Sequence, residues 1–401
     1  MPPWPISKRT QGLGTEHAFT VLAEVNGLIA KGRDIISFAI GQPDFATPKN
    51  ICDAAKRAID QGKHGYTPSP GIPELRKAAA DFLARTRQIP SRPTTLRCRT
   101  APSRSSCTPS WRPPTPAPAT KCSTPARLSD LREPDPGLRR DTGGAAAGRT
   151  RSVFLDINVL KEKINANTRL LILNSPHNPT GRTLNRAELQ AIADVLGDYP
   201  DCWVFSDEVY SRMVHDGEFA SIAQIPGMQE RTVVLDGASK SYAMTGWRIG
   251  FAANKILSPY FSTWITNTDS CASSISQWAT VEALTGDQAE HQKMMQSFAR
   301  RRDLIHQGLN QLEGVTALKP GGAFYIWPNV TELCKMVGAA NAEALRKAWL
   351  YEANVAVLAD SQFGKPVPGE GAHVRFSYAT AEAKIHEGMQ RLADWIKKAK
   401  R

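Results

Sequence analysis

Residues 235–251 read LDGASKSYAMTGWRIGF. The apolar run TVVLDG, 232–237, leads into this stretch with the character of a strand, and Ser239 and Lys240 follow it. Arg248 lies eight residues past Lys240 and opens a second short apolar segment, RIGF. A lysine just beyond a strand end can form a Schiff base with an aldehyde cofactor, and a fixed arginine nearby can grip that cofactor's phosphate. Taken alone, this spacing favours a surface lysine and a salt-bridged arginine. The neighbouring segments decide otherwise.

From Val153 onward strands and helices alternate. LLILN, 170–174, ends in SPHNPTG; AELQAIADVLGDY is a helix; CWVFSDEVY, 202–210, is a strand that ends in acids; then comes the lysine stretch. Short, continuously apolar strands separated by helices predict a largely parallel sheet covered on both faces. Ligands of such sheets bind beyond the carboxyl ends of the strands, where Asn178, Asp207 and Lys240 fall after three different strands.

Upstream, residues 15–31 have helical apolar spacing, and IISFAI reads as a strand followed by the turn GQPDFATP, in which Gly41 lets backbone approach a ligand closely. A helix with a cap is expected from Asn50, a Pro-Gly loop carries Tyr66, and a further helix starts near Pro73. The tail holds helical segments around 285–312, GGAFYIWP, a helix near 341–352, the strand VAVL, HVRFSYA and a terminal helix over 381–399. Its two strand–helix units predict a smaller α/β domain.

The chain of 401 residues is long enough for two domains, and 41% hydrophobic content is ordinary for a soluble protein. No apolar run reaches membrane-spanning length, and MPPWPISKRT has no signal-peptide core, so a cytoplasmic protein is expected. Seven cysteines without zinc-type pairing predict free thiols. The net charge of +12 does not mark a nucleic-acid surface. Most of the excess lies in residues 91–152, which hold eleven arginines and Lys121 against four acids. His64, His177, His215 and His373 sit near motifs without ligand spacing, so no metal is expected.

NSPHNPTG, SDEVY, SKSYAMTGWRIGF and HVRFSYA, in that order, resemble the class I/II aminotransferases of the fold-type-I pyridoxal-phosphate (PLP) family, aspartate aminotransferases in particular. The resemblance covers about 15–90 and 153–395. It implies an α/β protein of PLP-dependent transferase fold type I, with a large domain whose mostly parallel sheet is sandwiched by helices, and a smaller α/β domain. The boundaries implied are an arm with part of the small domain at 1–45, the PLP-binding domain at 46–285 and the small domain at 286–401. Lys240 would carry PLP and act as the general base. Asp207 would keep the pyridine nitrogen protonated, and Tyr210 and Asn178 would hydrogen-bond the ring oxygen. Arg248 and Ser239 would hold the phosphate, and Tyr66 would reach the phosphate of a partner subunit in a homodimer. Arg375 would take the substrate α-carboxylate as a bidentate fork, with Gly41 offering backbone to the same group. Glu208 has no implied role and reads as structural. The implied reaction is amino transfer from an L-amino acid to a 2-oxo acid, of the aspartate/2-oxoglutarate kind. A PLP-dependent C–S β-lyase would use the same residues, and pyruvate release without an acceptor separates the two.

Residues 91–152 depart from the family. They contain no Val, Ile, Met, Phe or Tyr, and they carry ten prolines and three cysteines. This composition predicts neither a buried strand nor an amphipathic helix, and so the loss of a helix and at least one strand from the large domain. The segment replaces family sequence rather than adding to it, and a shifted reading frame accounts for that. Read with the last base of each codon joined to the first two of the next, Thr100 through Arg104 allow Gly-Ala-Lys-Pro; in the other shifted frame, Leu128 through Glu133 allow Phe-Pro-Ile-Tyr-Glu-Ser. In the family the first phrase opens a helix that cradles the PLP phosphate, and an aromatic of the later phrase stacks on the ring. Ala101–Ser103 and Leu128 stand at those places. A chain misread in this way would bind no cofactor and be inactive.

Overall fold

A computed structural model describes residues 17–89, 96–100, 121–124, 142–144, 156–364 and 369–400. Its strands are β1 (Ile36–Ser37), β2 (Leu96–Thr100), β3 (Lys121–Thr124), β4 (Thr142–Gly144), β5 (Thr168–Asn174), β6 (Trp203–Asp207), β7 (Thr232–Gly237), β8 (Ile249–Ala253), β9 (Tyr325–Ile326), β10 (Val355–Ala356), β11 (Leu358–Ala359) and β12 (Val374–Ser377). Among the described residues, seven of them form one sheet in the order β2-β8-β7-β6-β5-β3-β4. From β4 to β7 every pairing is parallel, and β8 is antiparallel to both β7 and β2.

The apolar runs are covered as the sequence requires. On β5, Leu171 and Leu173 pack with Leu189, Ile192 and Leu196 of the helix Arg186–Gly197, whereas Ile172 between them packs with Phe205, Val233 and Leu235 on the opposite face. Alternate residues of a strand face opposite ways, so a strand apolar at every position must be buried twice. The helices Pro73–Arg87 and Ser274–Thr285 pack together over Val234, Ile249 and Phe251.

Three expectations need correction. Residues 91–152 do contribute strands: β2, β3 and β4 all join the sheet. Ladder hydrogen bonds come from the backbone, and β5 and β8 present edges on which any extended chain without interfering proline can pair. Ala101–Ser103, Leu128 and the expected phosphate-binding helix lie outside the described residues. The helix expected from Asn50 spans Lys49–Asp60 and has Pro48 at its N-cap, with no side-chain cap. Asn50 instead donates to Glu282 Oε1 at 2.9 Å, because it lies inside the first turn and faces the helix Ser274–Thr285. IISFAI narrows to β1, since only Ile36 and Ser37 have a strand partner, the parallel β10.

β11, β12 and β9 form an antiparallel sheet beside the long helix Ala289–Asn310 and the terminal helix Glu382–Ala399. Their core contains Phe298, Phe324, Trp349, Phe376 and Ile385, and it takes in Ile36 of β1 and Phe38 just after it. Phe38 and Phe376 meet with ring centroids 5.4 Å apart. Tyr210 also belongs to this core, so a residue just past β6 joins it to the large sheet.

Candidate active site

The carboxyl ends of β5, β6 and β7 are in register: Asn174 pairs with Asp207, and Asp207 with Leu235. Asp207 is buried, its carbonyl accepts from Asn174 Nδ2 at 3.0 Å, and the Asn178 amide donates to Asn174 Oδ1 at 3.1 Å. The turn carrying Asn178 is thereby folded back over the strand ends. Lys240 sits on the four-residue helix Ala238–Ser241 immediately after β7, and its Nζ donates to Gly41 O at 2.7 Å. Ser239 precedes it, half-buried, with its carbonyl accepting from the Met244 amide at 3.0 Å.

Arg375, on β12, crosses from the smaller sheet. Its Nη1 donates to Asn178 Oδ1 at 2.9 Å, and its Nη2 donates to Ala39 O. The guanidinium is buried and lies 4.5 Å from the Tyr325 ring centre and 5.0 Å from that of Phe363. Tyr210 Oη and Tyr325 Oη are hydrogen-bonded at 2.8 Å. A Cβ built on Gly41 would collide with Tyr325 Oη, so only glycine fits under that hydroxyl. Asn178, Gly41, Lys240, Arg375 and Tyr210 are therefore linked through direct contacts, with Asp207 one residue pairing away.

Two expected site residues stand apart. Arg248 follows a short 3-10 turn, has φ 52°, is exposed and donates through Nη1 to Thr245 O at 2.9 Å. The helix that carries Lys240 packs against this turn and against β8, so Arg248 flanks the lysine. Tyr66 is 95% exposed on its loop and touches none of the residues above.

Glu208 belongs to a buried ion cluster behind the site. Arg87 Nε donates to Glu208 Oε2 at 3.0 Å, and Arg87 Nη2 pairs with Asp236. Ser206 and Ser221 also donate to Glu208, and Ser211 and the Gly237 amide donate to Asp236. Burial pushes both carboxyls above the usual range, and the Arg87 charge offsets only part of that. Glu208 and Asp236 flank Asp207 and the Lys240 helix in sequence, so the cluster anchors the strand ends that carry both.

Three of the four histidines near the motifs have packing roles, and His64 is exposed. His215 Nε2 is 2.7 Å from Ala323 O, His177 Nδ1 is 2.8 Å from Thr180 Oγ1, and His373 stacks on Trp327 at 5.6 Å. Among the described residues no cluster could hold a metal, and no helix is long and apolar enough to cross a membrane. Sequence reasoning missed Tyr325, Arg87 and His291. Tyr325 had a signal, because two glycines before an aromatic run mark a close backbone approach.

His291 Nδ1 is 2.7 Å from Ser241 O, at the end of the Lys240 helix. Burial, reinforced by the Arg212 charge, lowers its pKa to about 4. Between the unfolded value near 6.5 and about 4, the unfolded chain binds a proton that the folded chain refuses. Stability therefore falls as pH drops through this window, by about 3 kcal/mol in all for a change of that size. Urea midpoints measured from pH 7 to pH 4 are expected to fall less steeply for His291→Gln than for the parent. Parallel curves would show that His291 does not titrate in this way.

A family profile described as aminotransferase class I and II matches residues 33–98 and 146–392. The unmatched stretch between them falls inside the Pro/Arg-rich segment. An aspartate/prephenate aminotransferase of Cereibacter sphaeroides is 37% identical over 377 residues, covering 91% of this chain and 92% of its own. An aspartate aminotransferase of Pyrococcus abyssi is 35% identical, with 93% and 94% covered. Among solved structures, the aspartate aminotransferase of Rhizobium meliloti superposes with a TM-score of 0.87 at 30% identity, covering 98% of this chain and 99% of its own. That of Thermus thermophilus with maleate superposes with a TM-score of 0.86 at 29% identity, covering 98% and 100%.

Proposed function

The chain is an aminotransferase of the class I and II family, which is PLP-dependent, and from that premise we propose that it transfers the amino group of an aspartate-like L-amino acid to a 2-oxo acid with PLP carried on Lys240. The observation that carries this reading is the convergence of Lys240, Asn178, Arg375 and Tyr210 around Gly41, from both sheets. Their donor set suits PLP: an amine for the aldehyde, a buried carboxylate for the ring nitrogen, an amide and a phenol for the ring oxygen. The glycine leaves no Cβ beneath the Tyr325 hydroxyl. Bound PLP supplies an electron sink for the charge left when the α-proton is removed. Lys240 Nζ would take that proton as the general base and hold it for return to the reacting group. Asp207 holds the ring nitrogen protonated, Tyr210 and Asn178 orient the ring oxygen, and Arg248 and Ser239 bind the phosphate. Arg375 receives the α-carboxylate, with Gly41 backbone beside it.

The acidic-substrate assignment draws on relatives named aspartate aminotransferase and on the one solved with maleate, a dicarboxylate. The reading includes a cytoplasmic homodimer in which Tyr66, on its exposed loop, reaches the partner's phosphate site. It also includes the domain boundaries at residues 45 and 285. For Arg375→Lys, kcat/KM with amino acids is expected to fall by about 1.5–3 kcal/mol in transition-state terms, the worth of a charge-assisted hydrogen bond. Amines without a carboxylate are expected to react almost unchanged. Equal losses for both classes would make Arg375 structural.

A second reading is favoured by the unmatched stretch 99–145. In it, residues 91–152 are frame-shifted, and the chain lacks the phosphate-binding helix and the aromatic stack, and with them the cofactor. One experiment decides between the two. The chain as written and a frame-restored chain are incubated with PLP, reduced with borohydride and mapped by peptide. Pyridoxyl on Lys240 in both supports the first reading. Label on Lys240 in the restored chain alone supports the second. Label on another lysine refutes the assignment of Lys240.

A further inference from the structure

We propose that Tyr325 is a positioning residue that acts on Tyr210 through its hydroxyl and on Arg375 through its ring, tying the acid–base side of the site to the carboxylate side. The inference rests on the reading of the site given above. Tyr325 is 1% exposed and opens β9 at the end of GGAFY. Its hydroxyl touches Tyr210 Oη at 2.8 Å and occupies the space over Gly41, the residue whose carbonyl receives Lys240 Nζ. Its ring lies 4.5 Å from the Arg375 guanidinium, which reaches Asn178 in turn.

The segment leading to Tyr325 is held from several sides. The Gly322 amide donates to Gly181 O at 2.9 Å, and the Ala323 amide donates to Met213 O at 2.7 Å. The Ala323 carbonyl receives Tyr378 Oη at 3.0 Å and His215 Nε2 at 2.7 Å. Ala323 has φ 58°, a conformation an alanine keeps only where its surroundings impose it. Gly181, at φ 70°, has no room for a side chain against Pro320 and the Tyr325 carbonyl. Such backbone strain is concentrated where a side chain must be aimed, and the side chain aimed here is Tyr325.

A phenol carries one proton. If Tyr210 directs its proton at the cofactor's ring oxygen, Tyr325 must be the donor in the pair. Donation into the Tyr210 oxygen polarises that hydroxyl and strengthens its own hydrogen bond. The ring, in turn, presents its negative face to Arg375 and holds the plane of the fork. Tyr325→Phe removes only the first effect; Tyr325→Leu removes both.

The test uses the full chain and these two variants, with Tyr210→Phe as a reference. In the cofactor-free protein carrying 13C-labelled tyrosine, NMR titration is expected to show the Tyr210 phenol ionising about half a pH unit or more higher in Tyr325→Phe, and the Tyr325 phenol likewise in Tyr210→Phe, because each loses the hydroxyl that stabilises the other's phenolate. In the loaded protein, the apparent pKa of the lysine-linked chromophore is expected to rise in Tyr325→Phe. That variant's kcat is expected to fall roughly tenfold with KM for 2-oxo acids within about twofold, whereas Tyr325→Leu also raises KM several-fold. A phenol step unmoved in Tyr325→Phe overturns the inference, as does a chromophore pKa equal to the parent's. A parent chain that forms no lysine-linked chromophore counts against the proposed function; the phenol titration then decides on Tyr325 by itself.

Discussion

Lys240→Ala is expected to lower kcat by at least about 10²–10⁴, the range that a positioned proton-transfer group contributes. The loss of the covalent anchor for PLP adds to it. The fold should be little affected. Lys240 is half-buried on a four-residue helix, and its bond to Gly41 O is one that water can replace. A stability change within about 1 kcal/mol is therefore expected from urea midpoints. A small primary amine added to the variant should restore part of the rate, since it supplies the missing base without the chain. Retention of a tenth or more of the parental rate without added amine would move the catalytic role away from Lys240.

Arg87→Ala should have the largest effect on stability. It strips the shared cation from Glu208 and Asp236, both buried at the ends of neighbouring strands. Breaking a buried pair by removing one partner costs about 3–5 kcal/mol, a large part of the 5–15 kcal/mol that typically holds a protein folded. The cost arises because the carboxylates lose their counter-charge without regaining water. Arg87→Met combined with Glu208→Gln and Asp236→Asn is expected to recover more than half of the loss, because the three paired charges are removed together and neither carboxylate is left without its cation. Equilibrium unfolding in urea measures both. A single variant within about 1 kcal/mol of the parent would mean that Ser206, Ser211 and Ser221 suffice to hold the acids.

These effects arise from residues of very different legibility in the sequence. Lys240, Asp207 and Asn178 each follow a run of apolar residues, and the ends of such runs are where a covered parallel sheet opens to ligands. The strand periodicity, the helices between them and the motif order together specify the α/β class and its aminotransferase family. Residues 91–152 show the limit of reading composition. They lack the side chains of buried strands, yet β2, β3 and β4 pair with β8 and β5, because a ladder is built from peptide groups that every residue except proline can offer.

Position along the chain carried Lys240, and the sequence by itself determined the parallel strands β5, β6 and β7, the strand-end placement of the three candidate residues and the family. Tertiary structure alone decided which distant residues meet them. Arg375 reaches Asn178 across 197 residues, and Tyr210 meets Tyr325 across 115. Arg87 closes on Glu208 across 121, from the end of a helix that reads as ordinary and amphipathic. Periodicity reports which face of an element is buried, because burial repeats with the geometry of that one element. It does not report which polar group lies opposite, since that partner is fixed by how two elements cross.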